Sequence, residues 1–379
     1  MQHRRRKRRL LLPVGAAVAV VAAAGGAMAW VWGVDDSPTT RSAPSGSTAV
    51  ARADCARQGK VPASGSGAQE NAMKYWIRQY EKTCPPVRIA YNPLGSGAGV
   101  VQFMQRFTAF GGTDSPVDPT EYTPDANLCP GGRIINLPMV GGSISIGFNV
   151  PGVDDLVLDA ATLAKIFDSR ITTWDDPALR ELNPGAALPS LPIRAVHRTD
   201  DSGTTQNFQK YLAAAAPEVW SYEAEKSWQG RGGESASGST GVASAVASTT
   251  GSIGYFELSF AAARGLDTVR IDTGASEPVA ATARTASAGI AAAEVIGKDK
   301  DLTLKIDYRT SADGTYPIVL VSYEIVCDKG NAADTLPALK SFLTYTASDE
   351  GQKPLSRIHY APLPKSVAVQ VRRVVSSLS

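Results

Sequence analysis

One turn in the sequence has the residue types needed to bind a small anion. It spans residues 198–204, Arg-Thr-Asp-Asp-Ser-Gly-Thr, after an apolar run at 191–196 that predicts a buried strand. The apolar spacing that follows predicts a helix, whose first turn would present unpaired N–H groups and the positive end of its dipole. Arg198 adds a cation with several donors. The alternative is a capped helix with a surface arginine. The candidate cradle residues are Ser202, Gly203 and Thr204.

Two further glycine-rich turns precede predicted helices. Residues 63–68, Ala-Ser-Gly-Ser-Gly-Ala, lead into a helix predicted over 69–82 from its apolar spacing. Residues 95–99, Gly-Ser-Gly-Ala-Gly, separate a strand predicted at 87–91 from a helix predicted at 100–107. Glycine is needed where backbone N–H groups must approach a ligand closely. One such turn is weak evidence, whereas three in one chain favour an anion site.

Asp114 is a further candidate for contact with a ligand, outside the three turns. It ends the segment Phe-Gly-Gly-Thr-Asp at 110–114, which predicts a short buried strand followed by a loop. Small and apolar residues surround it, so its carboxylate could face a ligand. The alternative is an ordinary turn or capping aspartate before Pro116.

The first 54 residues are predicted to direct export. A basic run at 4–9 precedes an uncharged apolar stretch at 10–34, which is typical of a signal peptide or a membrane anchor. Ala27-Met28-Ala29 suits cleavage, while the apolar stretch is also long enough to span a bilayer. Either outcome places the remainder outside the cytoplasm, at the outer face of the membrane. Residues 35–54 predict a flexible linker.

The charge that remains after residue 54 argues against nucleic-acid binding. Those first residues hold eight Lys and Arg and three Asp and Glu. The rest therefore has 30 basic and 33 acidic residues, a formal charge of −3. A nucleic-acid protein would concentrate positive charge in its folded part, so we predict none as a partner.

The cysteines predict two disulfides, as expected for an exported chain. No pair has CxxC spacing, and the three histidines are too few for a zinc site, so we predict neither metal nor cofactor. Four cysteines allow three pairings. Because the first two bracket the first predicted helix, we favour 55–84 and 129–327. The cysteines are Cys55, Cys84, Cys129 and Cys327, and the histidines are His3, His197 and His359.

Predicted helices and strands alternate along the chain, which indicates an α/β protein with parallel-rich sheets. The order of the motifs and the residues in them resemble those of the phosphate-binding proteins of ABC-type phosphate uptake, the PstS family. The resemblance covers about residues 60–375. The shared motifs are Gly95–Val100, Phe110–Asp114 and Arg198–Thr204, with connecting segments at 173–176, 182–185, 251–255 and 360–364.

The resemblance implies a ligand shell for phosphate. Asp114 would accept a proton from the phosphate, Arg198 would pair with both, and Asp200 would orient Arg198. Many relatives have Thr-Phe where this chain has Gln69-Glu70, so only backbone amides would remain there and Glu70 must point away. The implied phosphate-binding residues are Ser66, Gln69, Ser96, Asp114, Arg198, Ser202, Gly203 and Thr204.

The resemblance also implies a two-lobed, periplasmic-binding-protein-like fold of type II that closes on a ligand in the interlobe cleft. Lobe 1 would comprise 55–149 and 312–379, and lobe 2 would comprise 150–311. The implied partners are inorganic phosphate and the permease subunits of an ABC phosphate transporter, and we expect a monomer.

Three other functions were considered. A receptor for sulfate, molybdate or tungstate would suit the glycine-rich turns equally well, but those dianions carry no proton for Asp114 to accept. A phosphate-ester hydrolase would need a histidine base or metal ligands, and neither His197 nor His359 lies in a GxSxG context. A purely structural surface protein would need neither Asp114 nor Arg198. We therefore expect a binding protein and not an enzyme.

Overall fold

The computed structural model describes residues 55–118 and 128–379. The predicted leader (1–34) and linker (35–54) lie outside the described residues. In the part that is described, no helix has the length and apolar character needed to span a bilayer.

The described chain alternates helices and strands, which confirms the predicted α/β class. The strands are β1 (Gly59–Gly65), β2 (Val87–Asn92), β3 (Phe110–Thr113), β4 (Ile134–Asn149), β5 (Val157–Asp159), β6 (Arg194–Arg198), β7 (Glu234–Ala236), β8 (Ser252–Glu257), β9 (Asp267–Thr268), β10 (Arg270–Asp272), β11 (Glu294–Val295), β12 (Leu304–Lys305) and β13 (Val319–Cys327). The helices are α1 (Glu70–Thr83), α2 (Ser96–Met104), α3 (Ala160–Phe167), α4 (Pro177–Leu182), α5 (Gly203–Ala215), α6 (Gly238–Ser248), α7 (Leu258–Ala262), α8 (Ala283–Ala291), α9 (Leu336–Thr346), α10 (Asp349–Gln352) and α11 (Lys365–Ser376), with a 3-10 helix at Leu355–Ile358.

The largest sheet has the order β2-β1-β3-β13-β4-β8-β6-β7, with β9 also paired to β4. Its two flanks are parallel, as predicted, but β13 pairs antiparallel with both β3 and β4, and β4 pairs antiparallel with β8. The prediction of parallel-rich sheets is therefore wrong for the centre. Continuous apolar runs are typical of parallel strands, but β4 and β13 are antiparallel strands buried on both faces and show the same pattern.

Two large hydrophobic cores flank this sheet. Core I is built from residues between Ile144 and Tyr323, joined by Ala68 and Ala361. Core II is built from residues at 61–110, 135–140 and 326–378, with Leu302. Strands β4 and β13 each contribute side chains to both cores. The chain therefore passes between the cores along these two strands.

Both predicted disulfide pairings are confirmed. Cys55 is bonded to Cys84 and Cys129 to Cys327, each with its Cα atoms 5.4 Å apart. This separation lies in the usual range for disulfides. The first bond ties the start of the described chain to the end of α1, and the second ties the segment before β4 to the end of β13.

Candidate anion-binding site

The turns singled out in the sequence meet at one place in the structure. The Ser66 N–H donates to the carbonyl of Gly112 in β3 at 2.9 Å. From the facing side, the Gly97 N–H donates to the carbonyl of Asp201 at 3.0 Å. Between these two pairs, the Gly95 N–H donates to the carbonyl of Gly65 at 2.9 Å. The turn before α1, the start of α2, the end of β3 and the turn before α5 are therefore held together by backbone hydrogen bonds. We call the place where they meet the anion site.

Two glycines make this close approach possible. A Cβ atom at Gly203 would lie 2.7 Å from both the Asp114 Cβ and the Ser96 Oγ. A Cβ atom at Gly99 would lie 2.4 Å from the Cα of Gly65. At neither position is there room for a side chain, so glycine lets the backbones of α2 and α5 come close together at the site. The side chains of Ser96 and Thr204, in the same first turns, both form hydrogen bonds with Asp114. The predicted helix at 100–107 in fact begins at Ser96, because Gly95, with a φ of 102°, turns the chain directly into α2.

Asp114 lies at the centre of the site and is only 2% exposed. Its Oδ1 accepts hydrogen bonds from the hydroxyls of Ser66 at 2.5 Å and Ser322 at 2.6 Å. Its Oδ2 accepts a longer bond, 3.2 Å, from Thr204. Burial raises the pKa of the Asp114 carboxyl, and the hydrogen bonds and the charge of Arg198 oppose this rise without cancelling it. Since Oδ1 already has two short bonds, Oδ2 is the oxygen better placed to accept a proton from a ligand.

Arg198 is held by Asp200, as the resemblance implied. Its Nε donates to the Asp200 Oδ1 at 2.8 Å, its Nη2 donates to the Oδ2, and its Nη1 donates to the Ser239 Oγ at 3.3 Å. These bonds use three of the five guanidinium N–H groups, which leaves two for a ligand. Burial acts to raise the pKa of Asp200, but the bonds and charge of Arg198 outweigh it and lower the pKa overall. The Asp200 carboxylate therefore stays ionised beside its partner.

One implied contact is absent from the structure. The resemblance implied that Arg198 pairs with Asp114, but among the described residues its ion pair is with Asp200. Arg198 acts on Asp114 only as a neighbouring charge. The reason is local, because Asp200 is two residues away in sequence and its carboxylate accepts from both the Nε and the Nη2 of Arg198. Of the described Lys and Arg side chains, only Arg198 is buried, so it is the cation available to the site.

The turn before α5 has the geometry of a capped helix N-terminus. The Ser202 Oγ accepts from the Thr205 N–H at 3.2 Å, and the Ser202 N–H donates to the Lys226 carbonyl at 3.0 Å. Its amide is therefore used by the protein, while its hydroxyl oxygen accepts one bond and can still donate its proton to a ligand. The first-turn amides of a helix have no intrahelical partner, so Gly203 and Thr204 supply the donors of this cradle.

Gln69 precedes α1 and Glu70 is its first residue, and both side chains form their contacts away from the anion site. The Gln69 Nε2 donates to the Tyr91 Oη at 3.1 Å. Glu70 forms an ion pair with Lys74 and accepts a 3.4 Å hydrogen bond from Thr240. The awkward negative charge beside the site is thus directed outward, as the resemblance required. Only the backbone of Gln69 is left to face a ligand.

Three polar residues near the site were missed in the sequence. Ser322 donates to Asp114, Ser239 accepts from Arg198, and the Asn207 Nδ2 donates to the Asp114 carbonyl at 2.8 Å. Ser322 had a signal, because it is a polar residue inside the apolar run of β13. Ser239 also had one, since it lies in a Gly-Ser-Thr-Gly segment at the start of α6. Asn207 is one of several polar residues in α5 and had none.

A second buried carboxyl, Glu257, lies behind the turn before α1. Its Oε2 accepts from the backbone N–H of Ser259 at 2.9 Å and from the Ser259 hydroxyl, and its Oε1 has no partner among the residues that the structure describes. Tyr360, which contacts Ser259 at 3.2 Å, donates to the Ala68 carbonyl at 2.6 Å. Burial is the main cause that raises the pKa of Glu257 to about 8.

Replacing Glu257 with glutamine is expected to change how stability depends on pH. Between the ordinary pKa of 4.5 and about 8, the folded wild type keeps a proton that the unfolded chain has lost. Its stability should therefore fall as pH rises through this window, by up to about 1.4 kcal/mol per pH unit from this group alone. Glu257→Gln lacks this titration. Its free energy of unfolding should therefore rise relative to that of the wild type as pH increases. Urea unfolding of both proteins at a series of pH values measures these free energies.

The control for this experiment is Glu234→Gln, because the Glu234 side chain is 55% exposed in a surface ion pair. That variant should follow the wild-type pH dependence. If Glu257→Gln also runs parallel to the wild type, Glu257 does not hold a proton in the folded protein.

Comparison with known proteins places the chain in a family. A model of the PBP superfamily domain matches residues 49–350. The chain is 41% identical over 357 residues to phosphate-binding protein PstS 3 of Mycobacterium leprae (strain TN), which covers 93% of this chain and 96% of that protein. It is 41% identical over 330 residues to PstS 2 of Mycobacterium tuberculosis (strain ATCC 25618 / H37Rv), covering 86% of this chain and 89% of that protein.

Solved structures agree on the fold. The structure is similar to that of PfluDING, a high-affinity periplasmic phosphate-binding protein bound with phosphate. The TM-score is 0.68 at 22% identity, covering 83% of this chain and 93% of that one. The periplasmic-binding-protein fold implied by the motifs is thereby confirmed. The chain belongs to the PBP superfamily and, within it, to the PstS family of phosphate-binding proteins.

Proposed function

We propose that this protein captures inorganic phosphate outside the cytoplasm and delivers it to the permease subunits of an ABC phosphate importer. The observation that carries this proposal is the buried Asp114 carboxylate, which lies close enough to Arg198 for the guanidinium charge to act on it. A carboxylate only accepts hydrogen bonds, so it favours a ligand that still holds a proton. Phosphate at neutral pH holds one or two, and its negative charge suits Arg198 and the helix N-termini.

The ligand shell that we propose is the one implied by the resemblance, with two additions. Asp114 would accept the phosphate proton, and the two unused N–H groups of Arg198 would donate to phosphate oxygens. Backbone amides at Gln69, Gly203 and Thr204 would complete it. Ser322 and Ser239 are added because they hold Asp114 and Arg198. The remaining members of the proposed shell are Ser66, Ser96 and Ser202.

We further propose that the two cores are two lobes that close on the ligand. The division that we propose is 55–149 with 312–379 for lobe 1 and 150–311 for lobe 2. The cores move each crossing point a few residues into lobe 1, because the end of β4 and the start of β13 pack in core I. Asp114 would then lie on one side of the cleft and Arg198 on the other. A ligand that contacts both stabilises the closed form by its higher affinity for that form.

The location and assembly are proposals of the same kind. Two disulfides support an oxidising, extracytoplasmic compartment. The basic and apolar start of the sequence supports attachment to, or release from, the outer face of the membrane. We propose that the protein works there as a monomer that docks on its permease.

Catalysis is not part of the proposal, because neither histidine of the described residues is placed to act as a base at the site. His197 stacks on Trp228 with ring centroids 5.2 Å apart, and His359 is exposed after the 3-10 helix. Receptors for sulfate-like dianions are disfavoured by Asp114, which would meet them with lone pairs and charge of the same sign.

Phosphate is expected to bind one-to-one and to make the protein more compact. Bound phosphate should first be removed by partial unfolding in denaturant with the disulfides intact. Titration calorimetry would then give the stoichiometry, and small-angle scattering with and without phosphate would give the radius of gyration. Sulfate serves as the control anion. An unchanged radius of gyration alongside proven binding would refute closure, and no heat with phosphate would refute the function.

A further inference from the structure

Glu324 is a buried carboxyl that has no part in the proposed ligand shell. It lies in β13 with no exposed surface, and neither carboxyl oxygen has a hydrogen-bond partner among the described residues. Its neighbours across the sheet are Gly112 in β3 and Leu137 in β4. Neither has a side-chain donor. A buried polar group without a partner is costly, so this arrangement calls for an explanation.

Gln69, a neighbour of Glu324, also has a buried oxygen without a hydrogen-bond donor. Its Oε1 has no partner in the part of the chain that the structure describes, while its Nε2 donates to the Tyr91 Oη at 3.1 Å. The single hydroxyl proton of Tyr91 goes to the Ser66 carbonyl at 2.8 Å, so the Tyr91 oxygen must accept from Gln69. This bond fixes which end of the amide faces Tyr91. The orphaned Oε1 is therefore a true acceptor that needs a donor.

Space confirms that the Gln69 amide is confined. A Cβ atom at Gly112 would lie 2.3 Å from the Gln69 Nε2 and 2.6 Å from the Tyr91 Oη. The amide thus fills the volume over Gly112, the strand neighbour of Glu324. The Gln69 amide lowers the pKa of Glu324 as a neighbouring hydrogen-bond donor, although its contact with the carboxyl falls outside ordinary hydrogen-bond geometry. The Gln69 Oε1 and both Glu324 oxygens remain acceptors without a partner among the described residues.

The surrounding charges oppose ionisation of Glu324. The titratable groups that face it are Tyr91 from β2 and Asp114 after β3, and neither is a cation. The one buried cation of the described residues, Arg198, is paired with Asp200. Burial raises the pKa of Glu324 well above its usual value, the charge of Asp114 adds to this rise, and Gln69 only partly offsets it.

We infer that Glu324 holds a proton in the folded protein and donates it to the Gln69 Oε1, and that this bond positions the turn at 65–69 for the anion. A chain of bonds then runs from the Glu324 hydroxyl through Gln69 and Tyr91 to the Ser66 carbonyl. The hydroxyl of the same Ser66 donates to Asp114 at 2.5 Å. Glu324 touches no ligand and acts through Gln69 as a positioning residue.

The proton itself can be observed by infrared spectroscopy of the full exported protein. At neutral pH the wild type should show a protonated-carboxyl band that Glu324→Gln lacks. Glu257→Gln is the matched control, since it removes the other strongly buried glutamate and should leave the Glu324 band in place. Absence of a band specific to Glu324 overturns the inference. This measurement needs no ligand, so its outcome is separate from that of the proposed phosphate function, on which only the positioning role rests.

The positioning role is tested by phosphate calorimetry on three variants. Glu324→Gln keeps a neutral donor for Gln69 and should bind phosphate within about threefold of the wild type. Glu324→Met has similar volume but no donor and should bind roughly tenfold more weakly or worse. Tyr91→Phe breaks the chain one link further on and should show a similar loss while keeping the carboxyl band. It also replaces Glu324→Met if that variant fails to fold.

Every outcome decides the matter. If Glu324→Gln binds as weakly as Glu324→Met, the site needs a charged carboxylate and the inference is wrong. If both Glu324→Met and Tyr91→Phe bind phosphate like the wild type, the chain of bonds does not position the turn. Only rescue by glutamine together with loss in the other variants supports it.

Discussion

Replacing Asp114 with asparagine is expected to keep phosphate binding measurable while sulfate becomes a competing ligand. In the wild type, the 3.2 Å bond from Thr204 is the only one that the Asp114 Oδ2 accepts from residues 55–118 and 128–379, so this oxygen can accept a proton from phosphate. Sulfate has no proton at neutral pH, so its oxygen lone pairs would face those of the Asp114 carboxylate without a hydrogen between them. A site built around a ligand proton can reject an analogue that lacks it by about 10⁴-fold or more.

The asparagine variant replaces one of the two acceptor oxygens with a hydrogen-bond donor. Its carbonyl oxygen can replace Oδ1 and accept the bonds from Ser66 and Ser322, at 2.5 and 2.6 Å in the wild type. Its NH₂ group would then replace Oδ2 and donate to either anion. Phosphate loses a charge-assisted bond, which we expect to weaken its binding by roughly 10- to 100-fold. The affinity ratio of phosphate to sulfate should fall by about 100-fold or more.

Titration calorimetry with both anions on wild type and Asp114→Asn provides the test. Asp168→Asn is the matched control, because Asp168 is equally buried at 2% exposure but bonds to Arg170 and Tyr222. It should keep the wild-type selectivity. If the wild type already binds sulfate well, the phosphate assignment fails together with this prediction. An unchanged selectivity in Asp114→Asn would assign the rejection of sulfate to other residues.

The local elements of the fold could be predicted from the sequence because short-range signals determine them. Helix α1, predicted over 69–82, spans Glu70–Thr83, since its buried side chains Met73, Trp76 and Tyr80 recur at the helical period. The start of α2 was predicted four residues late, because the backbone conformation of Gly95 is not visible in a hydrophobic pattern. The antiparallel centre of the sheet could not be predicted, because strand pairing between β4 and β13 joins residues nearly two hundred positions apart.

The site followed the same division. Residues in the turns were found because glycine, serine and an adjacent charge form local motifs. Ser322 was missed because its role depends on the pairing of β13 with β3, which brings it to Asp114. The resemblance implied that Arg198 pairs with Asp114 while Asp200 orients it, but among the described carboxylates the ion pair of Arg198 is with Asp200, which sequence order alone does not determine. Contacts made across the sheet therefore needed the structure.

Arg198→Ala is expected to weaken phosphate binding far more than Arg194→Ala. The Arg198 side chain is 1% exposed and has two N–H groups left for a ligand. Loss of a buried charge-assisted contact costs roughly 2–5 kcal/mol, which corresponds to a drop in affinity of about 30- to 4,000-fold. Arg194 is four residues earlier, 55% exposed, and pairs with Glu234 at 3.1 Å on the surface. Such pairs contribute about 0–1 kcal/mol, so its removal should leave phosphate affinity almost unchanged.

Part of the Arg198→Ala loss would come from Asp200, which is left without its partner beside a bound anion. Arg198→Ala with Asp200→Asn removes that unpaired charge, and the affinity it recovers measures the repulsive share. Arg198→Lys keeps the charge but cannot make the two-pronged contact with Asp200, so it should bind phosphate more weakly than the wild type. Calorimetry on the four variants, with circular dichroism to confirm folding, separates these effects. Equal and small losses for Arg198→Ala and Arg194→Ala would show that the buried guanidinium does not contact the ligand, and the proposed site would be wrong.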